Sequence, residues 1–484
     1  MKKIILKIFS AVLLSLTVFS CSDRFVDTDF NQSVEQAPFT SVEELEATLN
    51  GAYGSMRNAS YYGRDYLMYA ELRGDLMFST GRSGRYTTVA RLNVSGNHML
   101  STDAYARDTY QAIYTVIAKC NIIINSTDAG LKWKESIDPA AIKDKIKNVK
   151  AKAHAVRALA FFDLLRLFGQ KYVTGGTMGV VLPLEYNPKA IQGRSSIIET
   201  EAQINSDFSQ AISDSDATSD YENVSNKTDL NRYSIRVLAQ RFYLYKADYA
   251  KVRSLVNDVV NAQVYTVAAK DLLKTSFTLN NASPNSIFEL SVGVFGSLGS
   301  NSLNTIMGSQ GSYKNVKVRT VGYTQYASND VRRQLVTYLD SSYGSTNVGY
   351  YVDKYSDING EDNVKMCRYE EVLLNGIEAE LNGGSAATAL DYYNQIVTNR
   401  GLTAATSVDL PTLKKERGKE LLGEGFRMWD NFRWGVGVPY ATSTGASVAA
   451  NNLPYGDNYL AFPIPKAEFN VPGNKMVQNA GYDQ

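Results

Sequence analysis

Leu373-Leu374-Asn375-Gly376-Ile377-Glu378-Ala379-Glu380-Leu381, interrupted at Gly383-Gly384 and resuming at Ala386, reads as helix, tight turn, helix. Apolar residues recur at helical spacing up to Leu381, and a pair of glycines then breaks the pattern. The same plan runs from Leu238-Ala239 through Tyr245, with a turn at Asp248 and a second helix from Ala250 onward. Small residues (Ala239, Ala247, Ala250; Gly376, Ala379, Ala386) are interspersed with bulky ones, which lets paired helices approach closely.

Further helices are signalled upstream. Ser41 with Glu44 forms a capping box that opens a helix through Leu45, Leu49, Ala52 and Tyr53. A second starts near Asp103 and carries Tyr110, Ile113, Ile117 and Cys120 on one face. A third is opened by Asp138-Pro139, is lined by Val156, Leu159, Ala160, Leu164 and Leu167, and stops at Gly169. Its early lysines, Lys143, Lys145, Lys147, Lys150 and Lys152, read as a solvated face. The helix pairs look like tetratricopeptide pairs, scattered because no period of about 34 residues is sustained. The expected fold is mainly α: a scaffold of tetratricopeptide-type pairs with long irregular loop and short-strand insertions. Those insertions are expected near 58–101 and 264–365, where Gly, Ser, Asn and Tyr dominate, and binding residues are expected on them.

The chain has 484 residues, 50 basic and 49 acidic side chains. Removing the first twenty residues, which hold Lys2, Lys3 and Lys7 and no acid, turns a net charge of +1 into −2. That balance argues against nucleic-acid binding, which rests on cations against phosphates. With two histidines, His98 and His154, a histidine metal site or catalytic triad is not expected. The 32 tyrosines against 3 tryptophans exceed what a core needs and point to half-wet surfaces.

Lys2, Lys3 and Lys7 precede an apolar run from Ile8 to Ser20, the pattern of a secretory leader, 1–20. Cys21, directly after Ser20 and with Val18 three places before it, resembles a bacterial lipoprotein cleavage box. The resemblance implies lipidation of Cys21 (palmitate among the chains) and anchoring without a spanning helix. An ordinary secretory leader is the alternative. Residues 21–40 read as a lipid-anchored polar tether and 41–484 as one domain. Cys120 and Cys367 lie in apolar helical patterns, as buried free thiols or as a single disulfide.

The C-terminal third carries Glu416-Arg417, Glu420-Leu421, Glu424-Gly425, Arg427, Trp429-Asp430 and Arg433-Trp434-Gly435. This series resembles the signature of the SusD/RagB family, surface lipoproteins that capture nutrients for a TonB-dependent outer-membrane transporter. Arg157-Ala158, Phe162 and Phe168-Gly169 match a family helix, with Phe161 where the family has tyrosine. Arg368-Tyr369-Glu370-Glu371-Val372 matches another, and Phe462-Pro463-Ile464-Pro465 with Gln478-Asn479-Ala480-Gly481-Tyr482 matches the family's ending. Gly423, Asn431 and Ala480 depart from it, in place of a bulky residue, a leucine and a proline.

The resemblance implies glycan capture at the cell outer membrane for a SusC-like transporter, no cofactor, no metal and no enzymatic activity. It places ligand contacts on the loops that hold Asp75, Arg82, Arg85, Tyr86 and Asn97, then Tyr313, Arg319 and Tyr323. Trp429 and Trp434 belong to the signature, which leaves Trp133, so a stacking platform must be mostly tyrosine. The alternatives are a peptide-capturing lid of a RagA-like importer and a glycoside hydrolase using Glu420 and Glu424. Arg417, Arg427 and Arg433 are near enough in sequence to pair with those glutamates and lower their pKa, against the need of a general acid. Asp214, Asp216 and Asp220, and Asp357, Asn359 and Glu361, have calcium-like spacing. Both sets lack the central glycine and closing glutamate and read as solvated loops.

Overall fold

The computed structural model describes residues 37–90, 99–441 and 448–483. The leader, Cys21, most of the tether and Asn97 lie outside the described residues. The chain divides into Met1–Pro38 and a compact unit, Phe39–Gln484, which carries everything below.

Eleven helices of seven or more residues build the scaffold among the described residues: α1 (Val42–Met56), α2 (Asp65–Leu72), α3 (Ala104–Ile124), α4 (Pro139–Phe168), α5 (Ile197–Ala217), α6 (Arg232–Tyr245), α7 (Tyr249–Asn261), α8 (Tyr369–Leu381), α9 (Ala386–Thr398), α10 (Leu410–Glu420) and α11 (Arg427–Arg433). Their starts follow local chemistry. Asp103 and Asp138 accept from the N–H groups of Tyr105 and Ala140, and Pro139 takes the first helical position, where no donor is needed. Ser41 caps α1 as expected, but the Glu44 carboxylate reaches back one residue further than a capping box requires, to Thr40 N at 2.7 Å.

Helix α4 is the spine, flanked by α3 and α5 and touched by α1 and α6. The hairpins α6/α7 and α8/α9 then stack through α7 on α8. Gly376 is why that stack closes: a Cβ there would stand 2.9 Å from both the Tyr392 ring of α9 and Val256 of α7. The mainly α, helix-pair architecture agrees with the sequence reading.

The insertions hold short strands. β2 (Ser286–Leu290) pairs antiparallel with β6 (Val364–Arg368). β1 (Met77–Ser79), β3 (Val316–Val318), β4 (Val336–Leu339) and β5 (Gly349–Val352) form an antiparallel sheet in the order β1-β3-β5-β4. A third pair joins β7 (Val438–Ala441) to β8 (Val448–Leu453).

Four expectations need correction. The 58–101 stretch is not wholly irregular: α2 lies within it, buried at every position, so it shows no amphipathic period. The lysines of α4 do not form a bare solvated face. Lys145, Lys147, Lys150 and Lys152 pair with Glu46, Asp214, Asp128 and Asp229, because α4 is packed among other acidic segments. Asp214 and Asp216 are helical and ion-paired, Asp216 to Arg236, instead of lying in a solvated loop. Asp357 does head a loop turn, accepting from Asn359 N and Glu361 N.

The fourth correction concerns tyrosine. Of the 32, sixteen are buried among the described residues. Tyr61, Tyr62 and Tyr66 all donate to the Asp163 carboxylate, at 2.5, 2.7 and 2.6 Å, and Arg166 pairs with it. Tyrosine here supplies hydroxyl donors to acids inside the scaffold as much as it wets a surface. Cys120 and Cys367 are free and buried, and burial pushes the Cys120 thiol up to about 12.

Candidate functional site

The signature residues form a buried ion-pair lattice. Glu420 receives Arg400 at 2.9 Å, Arg332 at 3.1 Å and Arg368 at 3.3 Å; Glu424 receives Lys354 at 2.6 Å and Arg368 at 2.7 Å. Burial alone would push both carboxyls up. The cations outweigh it: Arg400, Arg368 and Arg332 hold Glu420 well below the usual range, and Arg368 and Lys354 hold Glu424 below it. The expected sign is right, but the expected partners are not. Arg417 and Arg433 turn to Asp430, and Arg427 to Asp75, since tertiary packing delivers other cations to the glutamates. A carboxylate clamped in its anionic form by several cations is a poor general acid.

The departures from the family pattern have local reasons. Gly423 has φ +80°, a left-handed conformation that a bulky residue would strain. Ala480 N donates to the Gln170 side chain at 2.9 Å, a bond that proline could not make. Asn431 reaches Asp75 at 3.4 Å.

The loop residues separate into three groups. Asp75 and Tyr86 are engaged within the protein. Both Asp75 oxygens are taken by Arg427, and Tyr86 is buried, stacked on Tyr105 with its hydroxyl on Asp65 at 2.6 Å. Arg82, Arg85 and Tyr313 gather at the end of the β1–β3 ribbon beyond Ser79 and Val316, and Arg319 lies at its other end. Arg85 lies over the Tyr313 ring at 4.0 Å, while Arg82 is exposed and donates to Asn347 at 3.2 Å. Arg319 N donates to Leu76 O at 2.8 Å, extending the ladder one step past Val318. Its side chain therefore falls on the face of Phe78 and Lys317, which are cross-strand partners.

Tyr323 lies on the opposite face. Val318 and Tyr338 are both register partners of Tyr350, and Tyr323 stacks on Tyr350 at 4.3 Å with ring planes 21° apart. Tyr338 continues the platform, 4.8 Å from Tyr350 and 52% exposed. Arg333 covers Tyr323 at 4.7 Å. Tyr338 and Tyr350 were missed from the sequence. Alternation about β4 and β5 was the available signal, but it becomes a surface only when the register is known. No tryptophan takes part: Trp429 is buried, Trp434 donates to Glu378, and Trp133 packs edge-on against Tyr221.

A separate cleft of about 890 Å³ lies between α3, the 181–192 segment and residues 465–476, lined by Tyr110, Tyr114, Tyr186 and Glu468 among others. None of the expected ligand residues among the described residues lines it. No group of three or more metal-ligating side chains occurs among the described residues, and no helix among them is long and apolar enough to cross a membrane.

A helical-hairpin scaffold whose acids are locked in ion pairs, with an aromatic strip and a cationic loop on inserted strands, defines a binding protein of the SusD architecture. Two family models match: the SusD family over residues 302–482, and the family described as starch-binding associating with outer membrane over 26–244. The chain belongs to the SusD/RagB family.

Among curated relatives, SusD-like protein P25 of Formosa agariphila is 24% identical over 96% of this chain and 97% of its own length. SusD-like protein P2 of the same organism is 29% identical, over 33% of this chain and 29% of that protein. Among solved structures, a SusD superfamily protein from Bacteroides thetaiotaomicron superposes with a TM-score of 0.77 at 23% identity, covering 91% of this chain and 99% of the other. A laminarin-binding SusD-like protein gives 0.70 at 20%, covering 92% and 100%.

Proposed function

We propose that this protein is a lipid-anchored nutrient-binding protein of the outer membrane, which captures oligosaccharide and passes it to a SusC-like, TonB-dependent transporter. The observation that carries the reading is the Tyr338–Tyr350–Tyr323 strip, an aromatic surface left half-exposed on a rigid scaffold. Flat rings of this kind pack against the C–H faces of sugars while neighbouring polar groups engage hydroxyls. The description of the family as starch-binding and the laminarin-binding neighbour support the same ligand class.

Calorimetry against a polysaccharide and oligosaccharide panel tests it. Tyr338→Ala and Tyr350→Ala are expected to weaken glycan binding by about 1–2 kcal/mol each, roughly five- to thirtyfold, with Tyr338→Ala leaving folding intact. Silence across the panel, with peptides co-purifying on the transporter complex, would favour the peptide-importing reading instead.

Anchoring follows from a lipid on Cys21. Membrane fractionation of Cys21→Ala in a strain lacking the transporter should find the protein in the soluble fraction, and continued retention there contradicts the anchor.

A further inference from the structure

Buried guanidinium groups in this protein normally face a carboxylate, as Arg157, Arg166, Arg241, Arg332, Arg368 and Arg400 do. Arg73 lacks one but gives its nitrogens to the carbonyls of Val89 and Leu460. Arg319 has neither. It is 1% exposed, and none of Nε, Nη1 and Nη2 has a hydrogen-bond partner among the described residues.

Its surroundings do not compensate it. The guanidinium lies 5.4 Å from the Phe78 ring. Asp75 is the acid within electrostatic reach, and both its oxygens are engaged by Arg427. Burial holds Arg319 down at about 10, with Asp75 pulling weakly the other way. Retaining an uncompensated buried cation is costly, and hydrophobic replacements are usually tolerated at such places, so its presence needs a reason beyond packing.

The same strand face continues the pattern. Lys317 spends its ammonium on the carbonyls of Thr346 and Val348, at 3.0 Å each, and Lys314 on that of Gly311. Arg82 rests on the neutral Asn347 oxygen. None of these three makes an ion pair among the described residues. Asp353, the acid that faces Lys314, is held by Ser309 and Thr337. Burial and the nearby Arg82 draw both lysines below the ordinary range, as expected where cations gather without acids.

We infer that this face of the β1–β3 ribbon is an oxyanion subsite: Arg319 at its inner end, with Lys317 beside it and the exposed Arg82 at the far end, receives carboxylate or sulfate groups of an acidic glycan. The inference rests on the glycan-capture reading above and narrows its ligand class. A planar guanidinium fork matches both oxyanions in two-point geometry, and charge-assisted bonds in a desolvated site are the strong ones. The tyrosine strip lies on the other face of the sheet.

The test is calorimetry of the purified protein against oligogalacturonides, sulfated carrageenan oligosaccharides and uncharged laminarin oligosaccharides, at low and high salt, with thermal unfolding in parallel. At least one acidic class is expected to bind about tenfold tighter than laminarin, and the preference should shrink as salt rises. Which acidic class is preferred identifies the oxyanion. Arg319→Met should remove about tenfold of acidic binding, so that the preference over laminarin disappears, and raise Tm. Arg82→Gln, at an exposed position, should reduce acidic binding without altering Tm.

If Arg319→Met lowers Tm or leaves acidic binding intact, the arginine is structural and the subsite falls. Binding of laminarin with indifference to acidic sugars overturns the subsite but leaves glycan capture standing. If no carbohydrate binds, or acidic peptides outcompete all three classes, both readings fall.

Discussion

Asp163→Ala should cost about 3–5 kcal/mol of folding stability, the loss typical of breaking a buried charge pair by removing one member. Asp163 is 0% exposed, and its two oxygens serve Tyr61, Tyr62, Tyr66 and Arg166. Alanine strands three hydroxyls and a guanidinium where water cannot replace the carboxylate. It also cuts the tie between α4 and the Tyr61–Tyr66 turn, whose rings pack at 4.4–5.5 Å and on Trp429. Urea unfolding of the purified protein measures this, with Asp163→Asn as an intermediate case because it keeps one acceptor oxygen. A loss below about 1 kcal/mol for the alanine variant would show that the tyrosine cluster holds itself together by ring packing alone.

This cluster also shows what the sequence conceals. Helix starts were legible because capping is local: Asp103, Asp138 and Ser41 are each decided by residues within three positions. The α-hairpins were legible because their turns and small residues are local too. The destination of a tyrosine is different. Tyr61, Tyr62 and Tyr66 have the composition of a binding loop, and only Asp163, about a hundred positions away, makes them scaffold. Long-range pairing likewise gives Asp75 a partner that its neighbours in sequence do not show, Arg427 from the far end of the chain. Of the candidate site, the cations were visible and their sheet face was not. Tyr338 and Tyr350 became a platform only through the β4–β5 register.

Glu420→Gln is expected to destabilise the protein by about 3–5 kcal/mol at neutral pH. Arg332, Lys354, Arg368, Arg400 and Lys419 are balanced in this lattice by Asp330, Glu370, Glu416, Glu420 and Glu424. The amide keeps the shape but leaves one buried cation uncompensated, and it offers N–H donors where Arg400 requires two acceptors, both at 2.9 Å. The sign with pH follows from the lowered carboxyl. Against desolvation, Arg400, Arg368 and Arg332 keep Glu420 ionised in the folded protein well below its unfolded value. Its stabilisation is therefore complete above the unfolded carboxyl range, about pH 4.3, and is lost as pH falls toward the folded value. The gap between wild type and Glu420→Gln should thus be widest near neutrality and close in acid, as followed by denaturant midpoints from pH 7 to pH 3. The same variant separates scaffold from catalyst. A hydrolase would lose turnover on a glycan while keeping its stability; a lattice member loses stability and has no turnover to lose. A Glu420→Gln protein with unchanged midpoints and an abolished glycan-cleaving activity would overturn the structural assignment of the signature.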